Sequence, residues 1–415
     1  MIVIESNAEA YRRLCAADPV LVDVLPAGEA MPGFRPTTIL TSGPRLSWEQ
    51  YDGGQRAAII GGILFEGLAE DEAHAEARIR NGEIEIEPCH QFNCVGSIAG
   101  IYTASMPVLV VKNADRGNIA FCNFYEGSNP RRLNYGVYDN GVRERLLHVQ
   151  DVVAPVIGEA VRAAGGISLK PLMQRALHMG DELHSRNTAA SLLFTRELFP
   201  YLLHIAETGR DRVEAAVQAL TADHYFFLRL SMAAAKATAD AAHGIEHSSV
   251  VSAMSFNCRE FAIRVSGLGD EWFTGPHPIV EAKLFKGHTH DEIAWMGGES
   301  IIIETIGLGG LAQAASFPLQ SYQGGSPEAM IANNLKMYEI VVGEHPDFKI
   351  PFFSYRGTPT GIDVFKVIET GITPIMDIGI AGRNGGQIGA GLVRAHMGCF
   401  ARAAAAFERR YGQVR

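Results

Sequence analysis

The sequence predicts a mixed α/β protein of several domains, with a central all-helical subdomain between two α/β parts. The chain has 415 residues, whereas a single hydrophobic core rarely exceeds about 250–300 residues. Strand-like and helix-like patterns alternate in the first and last thirds of the chain, but the middle carries almost no strand signal. We therefore expect an N-terminal α/β domain at 1–150, a helical subdomain at 151–222 and a C-terminal α/β domain at 223–415.

In the first part, a helix precedes several strands. Residues 55–80 place apolar side chains three and four positions apart, which is the spacing of a helix face. Ile84 and Ile86 then alternate with glutamates, which is the period of a strand. The apolar runs MPVLVVKN at 106–113 and NIAFCNF at 118–124 have the length of buried strands.

Helical spacing dominates the middle of the chain, and mixed patterns follow it. The segments with helical spacing are 169–183, 188–207, 211–220 and, at the start of the third part, 227–242. The runs SSVVSAM, FAIRVSG, SIIIET and IPFF predict strands, and MGCFARAAAAFERRYG predicts a final helix.

Composition and charge argue against several classes of partner. The net charge of −10 argues against nucleic acid, because proteins that bind it present basic surfaces to the phosphates. The amino terminus lacks the pattern of a signal peptide, and no apolar stretch reaches the roughly 18 residues of a membrane span. Six cysteines without a C-x-x-C pair suit a reducing compartment. We therefore expect a cytoplasmic protein; a small anionic substrate stays open, because local arginines can override the global charge.

The segment SIIIETIGLGGLAQAA has the order of a dinucleotide-binding turn. A strand-like run precedes Gly307-x-Gly309-x-x-Ala312, and a helix-like run follows. The acidic residue expected about 20 positions later would be Glu328, which lies in a polar Ser-Pro-Glu turn. A tight packing turn between a strand and a helix therefore explains the segment better.

The segment ALHMGDELHSRN holds the densest group of functional side chains. On a continuous helix, His178, Asp181 and Glu182 share one face, and His184 lies at its edge. Carboxylates and imidazoles placed in this way can perform acid–base chemistry or bind a metal. These four are the candidate catalytic residues, with a solvated helix face as the alternative.

A second segment, SYRGTPTGIDVF, predicts an anion-binding loop. Arg356 offers a forked guanidinium, and Thr358 and Thr360 offer hydroxyl groups between glycines. An ordinary Pro-Gly turn is the alternative. The further candidates for contact with substrate or anion are His90, Arg186, Asn187, Arg264, Glu304 and Asp363.

Cys89 and His90 follow a predicted strand and stand side by side. Neighbouring residues on a strand point to opposite faces, so they rarely act as one catalytic pair. His90 is kept as a substrate contact, and a nucleophilic Cys89 is the weaker alternative.

These motifs, in this order, resemble the YlbE/YahG family. LHMGDELHSRN and RGTPTGID are long enough to be specific. The matching segments span roughly residues 37–405 and are AAIIGGILFEGLA, PCH, VGSIAG, SMPVLVVKN, GNIAFCNFYEG, GGISLK, ALHMGDELHSRN, LSMAAAKA, RVSGLGDEWFT, ESIIIETIGLGG, YRGTPTGID and GGQIGAGLV.

The resemblance implies a function in a complex. The family includes a subunit of oxamate carbamoyltransferase from allantoin degradation, a part of purine catabolism. That subunit works with an FdrA-type partner, which looks like an acyl-CoA synthetase subunit, and with a third protein. The implied reaction moves a carbamoyl group between an amide nitrogen and phosphate. No cofactor is implied with certainty, and a divalent metal and a homo-oligomer stay open.

The sequence departs from the family pattern at three places. It has Cys-His-Gln-Phe at 89–92 where the family tends to have Cys-His-His-His. It has Tyr-Glu-Gly-Ser-Asn at 125–129 in place of Asn-Glu-Gly-x-Gly, and Phe-Asn-Cys at 256–258 in place of Arg-Asn-Gly. These differences indicate a divergent paralogue that keeps the chemistry and takes a different substrate.

Two hypotheses from different classes follow. In the first, the chain is an enzyme subunit in which His178 or His184 moves the proton. Asp181 or Glu182 then orients an imidazole or holds a metal, and the Arg356 loop holds phosphate. In the second, the chain is a non-catalytic scaffold that binds the FdrA-type partner and a ligand. Assays of partner combinations with and without this chain separate the two.

Overall fold

The computed structural model describes residues 2–222 and 224–413, which form several β-sheets with helices packed against them. The helices are α1 (Ile2–Ala16), α2 (Ala27–Ala30), α3 (Gly53–Phe65), α4 (Glu72–Arg80), α5 (Asn140–His148), α6 (Ala154–Ala163), α7 (Lys170–His178), α8 (Thr188–Thr221), α9 (Phe226–Ala241), α10 (Ile302–Thr305), α11 (Gln320–Gln323), α12 (Pro327–Met337), α13 (Val364–Thr370) and α14 (Met397–Tyr411). The strands are β1 (Pro19–Pro26), β2 (Thr38–Thr41), β3 (Glu85–Pro88), β4 (Cys94–Val95), β5 (Pro107–Asn113), β6 (Ile119–Asn123), β7 (Ile167–Ser168), β8 (Val251–Phe256), β9 (Phe261–Val265), β10 (Trp272–Gly275), β11 (Val280–Leu284), β12 (Ile293–Ala294), β13 (Val341–Ile350), β14 (Arg356–Ile362), β15 (Ile375–Gly382) and β16 (Gln387–Arg394). This confirms the predicted mixed α/β fold class.

The N-terminal sheet has the strand order β4-β6-β5-β1-β7. β5 pairs antiparallel with both β1 and β6, and Val111 lies opposite Leu21. The two apolar runs predicted as buried strands thus occupy the middle of this sheet. Most of their residues are apolar because both faces are buried: α9 contacts β5 and β6, and Val108 and Phe121 of these strands belong to a separate core.

The C-terminal part contains three antiparallel arrangements of strands. β10, β9 and β8 form one sheet, and β11, β16, β15 and β12 form another. β13 and β14 form a separate pair. The strands predicted at SSVVSAM and FAIRVSG are β8 and β9, and the predicted final helix is α14.

The largest hydrophobic core joins the N-terminal sheet to the middle helices. Leu109 of β5, Phe194 of α8 and Phe227 of α9 belong to this one core. Strand β7, which lies inside the segment predicted to be all helical, pairs with β1. The segment 151–222 is therefore mostly helical but contains β7 and the non-helical loop 179–187, and the domain boundaries at 150 and 222 stay a prediction.

Two predicted elements near the chain's apolar segments are wrong. Residues 55–80 form two helices, α3 and α4, because the chain turns at Gly67, whose φ of +72° ends the first helix. The SIIIET run forms the short helix α10 and not a strand. It is buried throughout, and a fully buried apolar run has no periodicity to distinguish the two.

The predictions around residue 355 are also wrong. The IPFF run ends β13 and continues as a 3₁₀ turn, Pro351–Phe353. The predicted Gly/Thr loop that follows is strand β14, which pairs with β13.

Among residues 2–222 and 224–413, no helix has the length and apolar character that crossing a membrane requires.

Candidate functional site

The loop between α7 and α8 carries the predicted catalytic residues, but it is not helical. α7 ends at His178, and the chain then turns through Gly180 at φ +98° and Leu183 at φ +76°. The predicted common helix face is therefore wrong, because a glycine in the left-handed region terminates the helix. His178 is exposed, with its ring edge-on to Tyr355 at 5.3 Å.

Asp181 and Glu182 are fully buried and hold this loop in place. Asp181 accepts hydrogen bonds from the backbone N–H of Ala190, at 2.8 Å, and from Arg186, at 2.5 Å. Glu182 accepts from the backbone N–H groups of Ser185 and Arg186. Burial raises the pKa of Asp181 to about 6, against the opposing effect of these donors. Both carboxylates thus fix the start of α8.

His184, at the end of the loop, pairs with a carboxylate from a distant part of the chain. Its Nδ1 lies 2.7 Å from Oε1 of Glu304, and both side chains are buried. The same oxygen accepts the backbone N–H groups of Gly310 and Asp377. Burial alone would lower the pKa of His184, but Glu304 outweighs it and raises that pKa above its ordinary value. The structure thus joins two sequence candidates into an imidazole–carboxylate pair.

A further buried carboxylate, Asp377 on β15, lies beside this pair. It accepts hydrogen bonds from the amides of Gln313, at 2.5 Å, and Gln323, at 2.9 Å. Burial first, and then the Glu304 carboxylate, raise the pKa of Asp377 to about 6. For Glu182, burial first and then the nearby Asp377 carboxylate raise the pKa well above its ordinary value. Buried carboxyl groups whose pKa values are raised, and which therefore take up a proton more readily, lie near the His184–Glu304 pair.

His184 faces a cleft of about 680 Å³. Its lining includes the polar side chains Ser97, Ser128, Arg131, Arg132, Tyr135, Ser185, His224, Tyr225, Arg229, His288, Ser300, Tyr322 and Gln387. Within the described parts of the chain, no aspartate or glutamate lines it, although the protein carries a net charge of −10. Arginines without neighbouring carboxylates give a cleft a positive potential, which attracts anions.

Two of the arginines in the cleft are buried and have no carboxylate partner among the residues that the structure describes. Arg229 of α9 is only 3% exposed; its Nη1 has a weak contact with Met232 Sδ at 3.7 Å, and its Nε has no hydrogen-bond partner in the described chain. Arg132 is 7% exposed and donates to the Gly127 carbonyl and to Gln387 Oε1, at 3.2 and 2.8 Å. Its Nε also lacks a partner. Two buried cations therefore face the cleft with unused donors.

The sequence analysis did not identify Arg132 or Arg229. Arg229 carried a signal, because a lone arginine inside the apolar helix FFLRLSMAAA has to be buried, and buried arginines are almost always paired. Arg132 follows another arginine in a polar stretch, which looks like an ordinary surface segment.

Comparison of this chain with known proteins identifies its family. The family model for "Oxamate carbamoyltransferase subunit AllG" matches residues 84–300. The protein of that name from Escherichia coli (strain K12) is 38% identical over 415 residues, which cover 99% of each chain. The chain belongs to the AllG family. This confirms the family resemblance found in the sequence.

Two further relatives extend the AllG family comparison. The uncharacterized protein YahG of Escherichia coli (strain K12) is 38% identical over 409 residues, 98% of this chain and 86% of YahG. A crystal structure of a conserved protein of unknown function from Enterococcus faecalis V583 matches with a TM-score of 0.95 at 38% identity, and the match covers 98% of each chain. The fold is therefore shared along nearly the whole chain.

In this AllG-family chain, the predicted anion loop lies away from the cleft. Arg356 is exposed, forms a 2.7 Å ion pair with Glu344 and stacks on Tyr338. Thr358 and Thr360 are fully buried in β14. The structure therefore does not bring these three together as an anion cradle, because the segment pairs as a strand.

The remaining candidates make structural contacts. Asp363 caps α13 through the backbone N–H of Phe365, and it accepts from Asn7 and Ser249. Asn187 donates to the carbonyl of His184 at 2.7 Å and so supports the loop.

His90 and Arg264 lie together beside Trp272, outside the cleft.

The glycine turn at 307 serves packing. A Cβ on Gly307 would lie 2.4 Å from the carbonyl oxygen of Pro359, and one on Gly310 would lie 2.5 Å from that of Ile375. The dinucleotide alternative is wrong here, because the strand that it needs is helix α10. Within the described residues, no three His, Cys, Asp or Glu side chains are grouped so as to hold a metal ion.

Proposed function

We propose that this chain is a subunit of a carbamoyltransferase-type complex, and that its cleft binds the small anionic substrate. Membership of the AllG family supports the reaction class. The observation that carries the site is the Arg229 guanidinium, which is buried at the cleft and forms no ion pair with a carboxylate of residues 2–222 or 224–413. The departures from the family pattern favour a small ureido or amide carboxylate related to oxamate as the substrate.

Arg229 binds the anion through the edge of its guanidinium. Its Nε is unused and its Nη1 has only a weak sulfur contact, so the Nε–Nη2 edge is available for a two-pronged contact. That edge matches the two oxygens of a carboxylate or phosphate. A buried charge without a partner destabilises the fold, and an anionic ligand removes that penalty. Arg132 adds one N–H donor to the same cleft.

His184 moves the proton. In the degradative direction, an oxygen of inorganic phosphate attacks the carbonyl carbon of the ureido group. The bond from that carbon to the amide nitrogen breaks, and the nitrogen takes up a proton from imidazolium. The proton that phosphate loses returns to the imidazole. Glu304 holds Nδ1, so Nε2 is the nitrogen that exchanges the proton, and the raised pKa of His184 keeps the acid form populated.

The complex has an FdrA-type acyl-CoA synthetase-like subunit and a third protein as the partners of this chain, and it works in the cytoplasm. The word "subunit" in the name of the AllG relative supports a multi-subunit assembly. The non-catalytic scaffold is the competing outcome of the test below.

The test is phosphate-dependent carbamoyl transfer by the reconstituted complex, with wild-type chain and with His184→Gln. We expect a loss of at least about a hundredfold in kcat, the lower range for a general acid. His224→Gln is the matched control, since His224 lines the same cleft. Full turnover without this chain, or with His184→Gln, would assign the chemistry to a partner and leave this chain as a scaffold.

A further inference from the structure

A second group of charged side chains lies apart from the cleft, around the carboxyl-terminal half of α9. Lys236 and Asp240, one turn apart on α9, form an ion pair at 2.5 Å. Arg264 of β9 reaches the same carboxylate at 3.1 Å and is only 4% exposed. We call this group the α9 cluster; its members are His90, Lys236, Asp240, His243, Arg264 and Trp272. None of them lines the cleft.

The α9 cluster contains buried donor and acceptor atoms that nothing in the described chain satisfies. His90 packs edge-on against the Trp272 ring at 5.0 Å, and the guanidinium carbon of Arg264 lies 5.7 Å from the same ring. Both ring nitrogens of His90 and Nε of Arg264 are buried without a hydrogen-bond partner. Nearly all buried polar atoms in folded proteins have a partner, so three such atoms around one indole indicate a place for a ligand.

An exposed carboxylate lies at the outer side of this cluster. The Asp270 side chain is 91% exposed, yet Oδ1 lies 3.5 Å from Nη1 of Arg264 and 3.3 Å from Nε2 of His243. These distances are long for hydrogen bonds, and an exposed ion pair is weak. Asp270 therefore contacts the cluster without filling it.

The charge balance of the cluster depends on Asp270. Burial first, and then the nearby cations, lower the pKa of His243 to about 4 and that of His90 well below its ordinary value, so both imidazoles are neutral. Arg264 is always charged, and Lys236 is a second cation, whose pKa burial lowers against the attraction of Asp240. Asp240 supplies one negative charge, so without Asp270 the cationic side chains of the cluster outnumber its carboxylates.

On the far side, Glu299 lies 3.8 Å from His90, but its carboxylate is already held by the backbone N–H groups of Gly43 and Gly96. It therefore does not supply the missing partner.

We infer that the α9 cluster is a second binding site for a small oxyanion, and that Asp270 occupies its entrance until the anion displaces it. An incoming carboxylate or phosphate oxygen accepts from Nε of Arg264, a donor that Asp270 leaves unused. The N–H of neutral His90 supplies a second donor. Since the cluster and the cleft share no lining residue, this inference does not depend on the proposed carbamoyl transfer.

The experiment is calorimetric titration of the purified full chain with inorganic phosphate and, separately, with acetate. Asp270→Asn removes the competing charge, and we expect about 1.5- to fivefold tighter binding, the range of a weak exposed ion pair. The matched control is Glu271→Gln, which removes a neighbouring exposed carboxylate that makes no ion pair among the described residues. The two titrants distinguish a phosphate site from a carboxylate site.

Three results overturn the inference. The first is an Asp270→Asn variant that binds the titrated anion no more tightly than wild type. The second is a Glu271→Gln variant whose affinity rises by the same factor as that of Asp270→Asn. The third is an affinity increase in Asp270→Asn that is lost when Arg229→Lys is added to weaken the cleft. The inference predicts that the affinity increase of Asp270→Asn is lost when Arg264→Gln is added to it. Arg264→Lys is the second variant should Arg264→Gln not fold, because it keeps the charge opposite Asp240 and lacks the Nε donor. Tryptophan fluorescence is followed during the same titration. A change that has the same concentration dependence as the calorimetric signal, and that Trp272→Phe abolishes, locates the anion at the cluster.

Discussion

Replacing Arg229 with lysine tests the anion site in the cleft most directly. Lysine keeps the positive charge but presents one ammonium group in place of the planar fork. The variant therefore removes the two-pronged contact while leaving the charge of the cleft unchanged. A ligand attracted by charge alone would bind as before.

The expected loss of affinity follows from the contacts of Arg229. One charge-assisted hydrogen bond contributes about 1.5–3 kcal/mol, so losing one of two weakens binding by roughly ten- to a hundredfold. The stability of the empty protein should not fall. Within the described part of the chain, Arg229 has no carboxylate partner and only a weak contact with Met232, so the substitution breaks no strong interaction there. A structural arginine would behave in the opposite way.

The assay compares Kd for inorganic phosphate and oxamate by calorimetry with the thermal midpoint of the unliganded chain. Arg131→Lys is the matched control: Arg131 lines the same cleft but is exposed and already paired with Asp139 at 2.9 Å. We expect the control to change Kd by less than about threefold. Wild-type affinity in Arg229→Lys, or a lower midpoint with unchanged affinity, would refute the assignment.

Three further variants test the surrounding residues. Glu304→Gln should lower the pKa of His184, because burial then acts without the opposing carboxylate, so the loss of activity at alkaline pH moves to lower pH; an unchanged nitrogen NMR titration of His184 would contradict this. Asp181→Asn should lower the free energy of unfolding by about 1–3 kcal/mol, because buried donors lose their anionic acceptor, and a denaturant midpoint equal to wild type would count against it. Arg356→Lys should leave phosphate affinity within about twofold, since that side chain is exposed and ion-paired; a tenfold loss would instead support an anion cradle at Arg356.

Several elements were predictable because their sequence patterns are local. The runs that became β5 and β6 are continuous and apolar, and they lie between polar turns, so their length identifies them as strands. The final helix, α14, has apolar side chains at helical spacing and was predicted for the same reason. The strand predicted for the SIIIET run was wrong, because a segment buried on all sides lacks the alternation of apolar and polar residues that distinguishes a strand from a helix.

The candidate site was predicted only in part. His184 and Glu304 were both chosen from their residue types, but nothing in the sequence shows that residues 120 positions apart form one hydrogen-bonded pair. Asp181 was chosen for the same reason as His184, yet it is turned inward to cap α8. A side chain's chemistry is local information, whereas its direction is set by the turn at Gly180 and by what packs against the loop.

The sequence by itself determined the fold class, the family and the presence of an unusual group of imidazoles and carboxylates around residues 178–187. Only the tertiary structure decided which side chains face the cleft. It placed Arg132 and Arg229 in a cleft without carboxylates among its described lining residues, and it placed Arg356 on the surface beside Glu344. The reason is physical: whether an arginine binds substrate depends on whether a carboxylate of the protein already neutralises it, and that carboxylate comes from wherever the fold brings the chain.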